Sequence, residues 1–221
     1  VGSGPTAARH AMDKMASKLH ASGLGIRTPE AVVVNPNDET PPFAVPFVVK
    51  PVHEGSSVGL HLCGPDATWT RALEAMRADL RHCPERVYMA ERMIRGREIT
   101  VGILGHEALP LLEIRPASGP YDYEAKYVRD DTIYVVDPDV PNPHGIAEDA
   151  VRLATSMGVR HLARVDFFVD ETGLAWFLEI NTMPGFTSHS LVPKAAAARG
   201  LSFDALCEHL VRLAVGTPTC R

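Results

Sequence analysis

Four side chains towards the C-terminal half of this 221-residue chain are spaced to act together. In "LARVDFFVD" (162–170) Arg164 and Asp166 are two apart, and in "GLAWFLEIN" (173–181) so are Glu179 and Asn181. Alternate residues of a β-strand share a face, so the members of each pair do. The two segments read as an antiparallel hairpin. If the turn around "DETG" holds an even number of residues, directly paired residues carry numbers that sum to an odd value. Asp166, Glu179 and Asn181 then converge, with Arg164 beside them. Two carboxylates and an amide oxygen on a rigid ribbon suit magnesium, which keeps several waters and takes one or two carboxylates plus phosphate oxygens. The plainer alternative is a solvent face whose charges pair, with Arg164 bridging Asp166.

Other residues point the same way. Lys50 ends an apolar strand, and "EGSSVG" follows. Two glycines with Ser56 and Ser57 make a loop rich in N–H and hydroxyl donors, suited to folding over phosphates. It is not the GxxxxGK[ST] loop, and a plain turn has the same composition. Lys14 lies on an N-terminal helix, where a lysine is usually solvated. "YDYEAKY" (121–127) puts Lys126 and Tyr127 in a long loop that reads either as a sticky surface or as a lid. Glu91 and Glu98 bracket "RMIRGR", a spacing that suits an interlobe connector meeting a nucleoside, although acids near a bend are commonplace. Each feature is weak alone. Together they describe nucleotide-dependent phosphoryl chemistry.

The elements that must position these groups are legible in outline. After Pro5, which fits a first helical turn, Ala8, Met12, Met15 and Leu19 recur at helical spacing and predict one helix with that core face. "VPFVVKP" (45–51) and "RVYMAE" (86–91) read as strands, and Asp66 as the cap of a helix whose core face is Trp69, Leu73, Met76 and Leu80. "EITVGIL" and "EALPLLEIR" predict a hairpin around "GH". "IAEDAVRLATSMG" (146–158) and "FDALCEHLVRLAV" (203–215) predict amphipathic helices. Mixed helices and antiparallel hairpins define an α+β fold in two lobes, 1–91 and 92–221.

Composition narrows the classes. With 45% hydrophobic and 22% charged residues the chain has the make-up of a globular protein with a real core. A net charge of −5 argues against a broad nucleic-acid or lipid surface, so an anion would be held by a few placed cations and backbone amides. No apolar run reaches the ~18–20 residues of a membrane span, and no signal pattern opens the chain. The four cysteines form no CxxC pair, which favours a reducing cytoplasmic setting over zinc or disulfides.

The ordered series "AMDK", "PFVVKPVHEGSSVG", "AERMIRGREITVGIL", "YDYEAKY", "ARVDFF" and "FLEINTMPGFTSHSLVPKAA" resembles the bacterial D-alanine–D-alanine ligases of the ATP-grasp superfamily, from about Gly2 to about Leu213. The resemblance implies two lobes gripping ATP. It implies Lys14, Lys50 and Lys126 on phosphates, Ser57 in the flap, and Glu91 and Glu98 on adenine or ribose. Asp166, Glu179 and Asn181 would hold two magnesium ions, with manganese as a substitute. Arg164 and the Gly185 amide would stabilise an oxyanion, and Tyr127 would close on the first D-alanine by pairing with Ser56. Ser190 and the Leu191 amide would grip the carboxylate of the second. D-Alanine–D-lactate ligases usually carry a different loop in place of "EAKY", so a dipeptide product is implied.

There is one departure. Family members carry a further N-terminal α/β domain before the "GSG" turn, which supplies a contact to the first D-alanine and the family's homodimer interface. This sequence starts after it. Nucleotide binding is therefore expected to survive better than ligation, and dimerisation is not expected. The competing readings are a nucleotide-binding module without turnover and a carboxylate–amine ligase of other specificity.

Overall fold

Two antiparallel sheets meet where the chain crosses from Arg92 to Gly96. The computed structural model describes residues 1–65, 68–117 and 131–216. Helices α1 (Pro5–Met12) and α2 (Lys14–Gly23) come first. The smaller sheet has the order β1 (Ala31–Val33), β4 (Tyr88–Arg92), β2 (Phe47–Pro51), β3 (His61–Cys63), with α3 (Trp69–Leu80) on one face. The larger sheet runs β10 (Ala175–Asn181), β9 (Leu162–Asp170), β5 (Gly96–Leu104), β7 (Leu112–Arg115), β8 (Ile133–Val136), and β6 (Glu107–Ala108) pairs with β5. Helices α4 (Pro143–Ser156), α5 (Leu191–Ala198) and α6 (Phe203–Gly216) complete the described fold. The architecture is α+β, as the hairpins require.

In the smaller sheet, strand alternation sorts the residues. Phe47 and Val49 are fully buried against Trp69, Leu73 and Met76 of α3, while Val48 and Lys50 turn to the other side. The expected face of α3 is thus the observed one. Its N-cap is Thr68, whose hydroxyl accepts from the Arg71 N–H. Asp66, expected there, lies outside the described residues.

In the larger sheet, Ile99, Val101, Phe167 and Val165 pack with α4 and with residues of α1 and α2 in one core. The opposite face is covered at one end by α5 and α6, through Leu112, Val192 and Leu206. The rest of that face is left for the site.

The N-terminal helix differs from expectation twice. It breaks at Asp13, whose extended backbone and side-chain bond to the Ala16 N–H start a second helix. Its buried face is Ala7, Ala11, Lys14, Ser17, Lys18 and Ala21, whereas Met12 is 54% and Leu19 71% exposed. The helices pack by small residues, which permit close approach to β10, and by two lysines that face other charges. Apolar periodicity misses both. Because Ala11 and Ala21 belong to the core under the larger sheet, these helices are built onto that sheet although they precede the smaller one in sequence.

Candidate active site

A cavity of about 770 Å³ lies between the open faces of the two sheets. The smaller sheet contributes Val48, Lys50, Leu62 and Glu91, and the loop after β2 contributes Glu54 and Ser57. The larger sheet contributes Glu98, Arg164, Asp166, Phe168 and Glu179, with Met93 and Ile94 at the crossing between the sheets. Apolar walls with a few convergent charges are the usual make-up of a small-molecule site.

The convergence on β9 and β10 depends on a β-bulge. Near the turn, Ala175 pairs with Val169 and Phe177 with Phe167, an even register that would carry Glu179 to the core face. The register shifts between Phe177 and Glu179, after which Glu179 pairs with Asp166 and Asn181 with Arg164. So the odd sum that an even turn was expected to supply is supplied by the bulge. One extra residue lets Phe177 and Ile180, three apart, both enter the core while Glu179 lines the cavity and Asn181, outside its lining residues, shares that face opposite Arg164. The extra residue is Leu178, and Phe177 just before it, still paired with Phe167, turns its backbone groups to the outer edge of β10. The Phe177 N–H donates to Arg27 O at 2.7 Å and its carbonyl accepts from Thr28 Oγ1 at 3.0 Å.

Asp166 is buried, and both of its oxygens are engaged. Thr100 Oγ1 donates to Oδ1 at 2.6 Å, while Arg164 donates from Nε to Oδ1 and from a terminal nitrogen to Oδ2, each at 2.9 Å. Arg164 therefore does bridge Asp166, but at a half-enclosed cavity wall rather than in open solvent. Asn181 Oδ1 accepts from the Met183 N–H at 3.0 Å, which fixes which way the amide faces. Two carboxylates and an amide oxygen on one face form a hard-oxygen donor set that fits a divalent cation of the magnesium type.

The cations are tightly placed. Lys14, at the start of α2, donates to Glu54 O in the flap loop and lies 3.8 Å from Glu179 Oε2. Burial lowers the Lys14 ammonium below its usual range, against the pull of Glu179. Lys50 Nζ donates to Glu91 Oε1 at 3.0 Å. Glu91 is buried and also ion-paired with Lys18. Burial alone would push its carboxyl up, yet Lys50 and Lys18 together hold it below the ordinary range. Ser56 and Ser57 both take positive φ, 53° and 58°, and the Val58 N–H donates to Gly55 O at 3.1 Å, forming a tight turn.

A second cluster lies in the loop between β10 and α5. Ser190 is the N-cap of α5, its Oγ accepts from the Thr187 N–H at 3.0 Å, and a Cβ at Gly185 would meet that Oγ at 3.2 Å. The Leu191 N–H opens the helix, where amides lack intrahelical partners and favour an anion. Lys126 and Tyr127 lie outside the described residues. Three groups that sequence reasoning passed over also belong here: Thr100, Lys18 and the Arg97–Glu113 pair, in which Arg97 donates to both carboxylate oxygens at 2.8 and 2.6 Å. Lys18 was findable, since it sits one helical turn from Lys14.

Two antiparallel sheets closing on a cavity that pairs lysines with an oxygen-donor ribbon define the ATP-grasp class of ATP-dependent ligases. The family model "D-ala D-ala ligase C-terminus" matches residues 31–212, and the chain belongs to that family. The D-alanine–D-alanine ligase of Dechloromonas aromatica (strain RCB) is 39% identical over 219 residues, covering 96% of this chain and 71% of that protein. The D-alanine–D-alanine ligase structure from Bacillus anthracis superposes with a TM-score of 0.79 at 30% identity, covering 97% of this chain and 70% of that one. A structure of the ligase from that organism complexed with ATP gives 0.76 at 25% identity, covering 97% and 69%.

Proposed function

We propose that this chain carries the catalytic portion of a cytoplasmic ATP-dependent ligase that joins two D-alanine molecules into the dipeptide used for peptidoglycan precursors. The observation that carries the reading is the meeting of Lys14, Lys50, Arg164, Asp166 and Glu179 at one cavity of nucleotide size between the two sheets.

A carboxylate resists attack by an amine. The first D-alanine must therefore attack the γ-phosphorus of ATP through a carboxylate oxygen, releasing ADP and forming an acyl phosphate. The amine of the second D-alanine adds to that carbonyl, and the tetrahedral oxyanion collapses by expelling phosphate. Lys14 and Lys50 oppose the polyphosphate charge, with Ser57 and the amides of its turn closing over it. Glu98 and the backbone beside Glu91 hold the nucleoside. Asp166, Glu179 and Asn181 would hold the two magnesium ions, or manganese, which when bound neutralise charge on the phosphates. Arg164 and the Gly185 amide stabilise the oxyanion, a task typically worth ~3–4 kcal/mol per donor. Ser190 and the Leu191 amide take the carboxylate of the second D-alanine; Lys126 would oppose phosphate charge, and Tyr127, by pairing with Ser56, would close over the first D-alanine and keep water from the acyl phosphate.

The test is phosphate release with ATP, magnesium and D-alanine, set against other amino acids. D-Alanine-dependent release supports the reading. Calorimetric binding of Mg-ATP without any release favours a binding module, and release with a different amino acid favours another specificity.

A further inference from the structure

Lys18 does not line the cavity, yet it touches a strand of each sheet that does. Its side chain is 96% buried, and its Nζ donates to Thr28 Oγ1 at 2.9 Å and to the Phe177 carbonyl at 3.4 Å while ion-pairing with Glu91. The Phe177 carbonyl lies on the outer edge of β10, directly before the bulged residue Leu178, and that bulge turns Glu179 to the cavity. Glu91 is on β4 of the other sheet and receives Lys50 on its second oxygen. One ammonium thus joins α2, the bulge of the larger sheet and the acid that fixes a cavity lysine of the smaller sheet. A lysine is costly to bury without matched partners. Here its three contacts are divided between the two walls of the cleft.

We propose that Lys18 is a positioning residue of the nucleotide site: it locks Glu91, and through Glu91 the Lys50 ammonium, against the bulge, and so sets the separation of the phosphate-binding and metal-binding walls. The proposal rests on the ligase reading above for its kinetic consequences, but not for its geometric ones. Burial pushes the Lys18 ammonium down to about 8, with Glu91 on β4 opposing, Lys50 on β2 adding to the fall, and Glu179 on β10 opposing. Lys14, one turn earlier on α2, faces the same cluster. The lock therefore loosens within a reachable pH range.

Lys18→Met, the conservative Lys18→Arg, Glu91→Gln and the double variant Lys18→Met/Glu91→Gln are compared with the parent chain from pH 6.5 to 9. Lys18→Met is expected to raise KM for ATP about tenfold or more while KM for D-alanine stays within about twofold. The parent's KM for ATP climbs above pH 8, whereas Lys18→Arg keeps its charge, holds the affinity near the parent's and flattens the climb. The double variant is no worse than Glu91→Gln alone, because the lysine acts through the acid. If Lys18→Met fails to fold, the pH profile of Lys18→Arg decides: a climb like the parent's overturns the proposal. Independently of nucleotide, nitroxides at the exposed positions Val33, on β1 of the smaller sheet, and Leu174, in the β9–β10 turn of the larger, report the separation by electron–electron double resonance once the native cysteines are serine. Lys18→Met broadens that distance distribution. A distribution matching the parent's, or an unchanged KM for ATP, overturns the proposal. A parent chain that neither binds ATP nor releases phosphate sinks the ligase reading instead, and the distances then decide the lock alone.

Discussion

Glu179 and Ser190 separate the two halves of the proposed chemistry. The Glu179 side chain is 31% exposed, faces Asp166 across the bulged ribbon, and has Lys14 as its nearby cation. Replacing it by Gln keeps the shape and removes one of two carboxylates from the donor set. Glu179→Gln is expected to lower kcat by at least about 100-fold and to weaken magnesium or manganese binding, read by calorimetry alongside phosphate release. A fully active Glu179→Gln would remove the metal assignment. Ser190 sits at the other cluster, where its hydroxyl accepts from the Thr187 N–H and its own proton is left to a hydroxyl or a ligand oxygen. Ser190→Ala is therefore expected to raise KM for the second D-alanine about tenfold with little change in KM for ATP, the size of one lost bond to a charged group. Equal shifts in both constants would place Ser190 in a merely structural role.

At the scale of elements, the β5 start and the β10 bulge decide whether the two walls meet. Gly96 begins β5 just after the crossing, and a Cβ there would lie 2.2 Å from the Val169 carbonyl oxygen on β9. Backbone cannot swing aside as a side chain can. Gly96→Ala is expected to cost about 1–3 kcal/mol in urea denaturation and to weaken ATP binding, since the cavity floor must shift with it. An unchanged urea midpoint would show that the strand pair yields freely. These details mark how far the sequence could be read. Strand alternation made Arg164 with Asp166 and Glu179 with Asn181 legible as pairs, and the helical spacing of Trp69, Leu73, Met76 and Leu80 made α3 legible. The bulge was hidden only partly: Phe177 and Ile180 are both apolar at a spacing of three, which no straight strand buries on one side. The N-terminal helix was misread because its inward stripe is alanine and lysine while Met12 and Leu19 point out. Periodicity reports apolar residues, and this face is built from small and charged ones.

For the whole molecule, the same buried lysines that organise the cleft bear on the pH dependence of folding. Lys18 titrates at about 8 in the folded chain against 10.5 when solvated, and burial lowers Lys14 in the same direction. Below pH 8 folding carries the full cost of enclosing the Lys18 charge. Above it the folded chain sheds a proton that the unfolded chain still holds, so unfolding takes up a proton and stability rises with pH. The rise is confined to about one pH unit of clear reading. Cys63 is raised above 9.0 by burial, and Tyr88 is raised to about 12 by burial and its bond to Asp79; for both, the unfolded chain loses its proton first and stability falls. The urea midpoint is expected to increase between pH 8 and 9 while affinity for ATP decreases over the same interval. Lys18→Met should abolish most of the increase, because the group that titrates is gone. A midpoint that falls steadily from pH 7.5 to 9 in the parent chain would mean that the Lys18 ammonium is better satisfied by Glu91, Thr28 and the Phe177 carbonyl than its burial implies. Opposite slopes for folding and for nucleotide binding would instead mark a charge enclosed at a cost in stability to fix the geometry of the cleft.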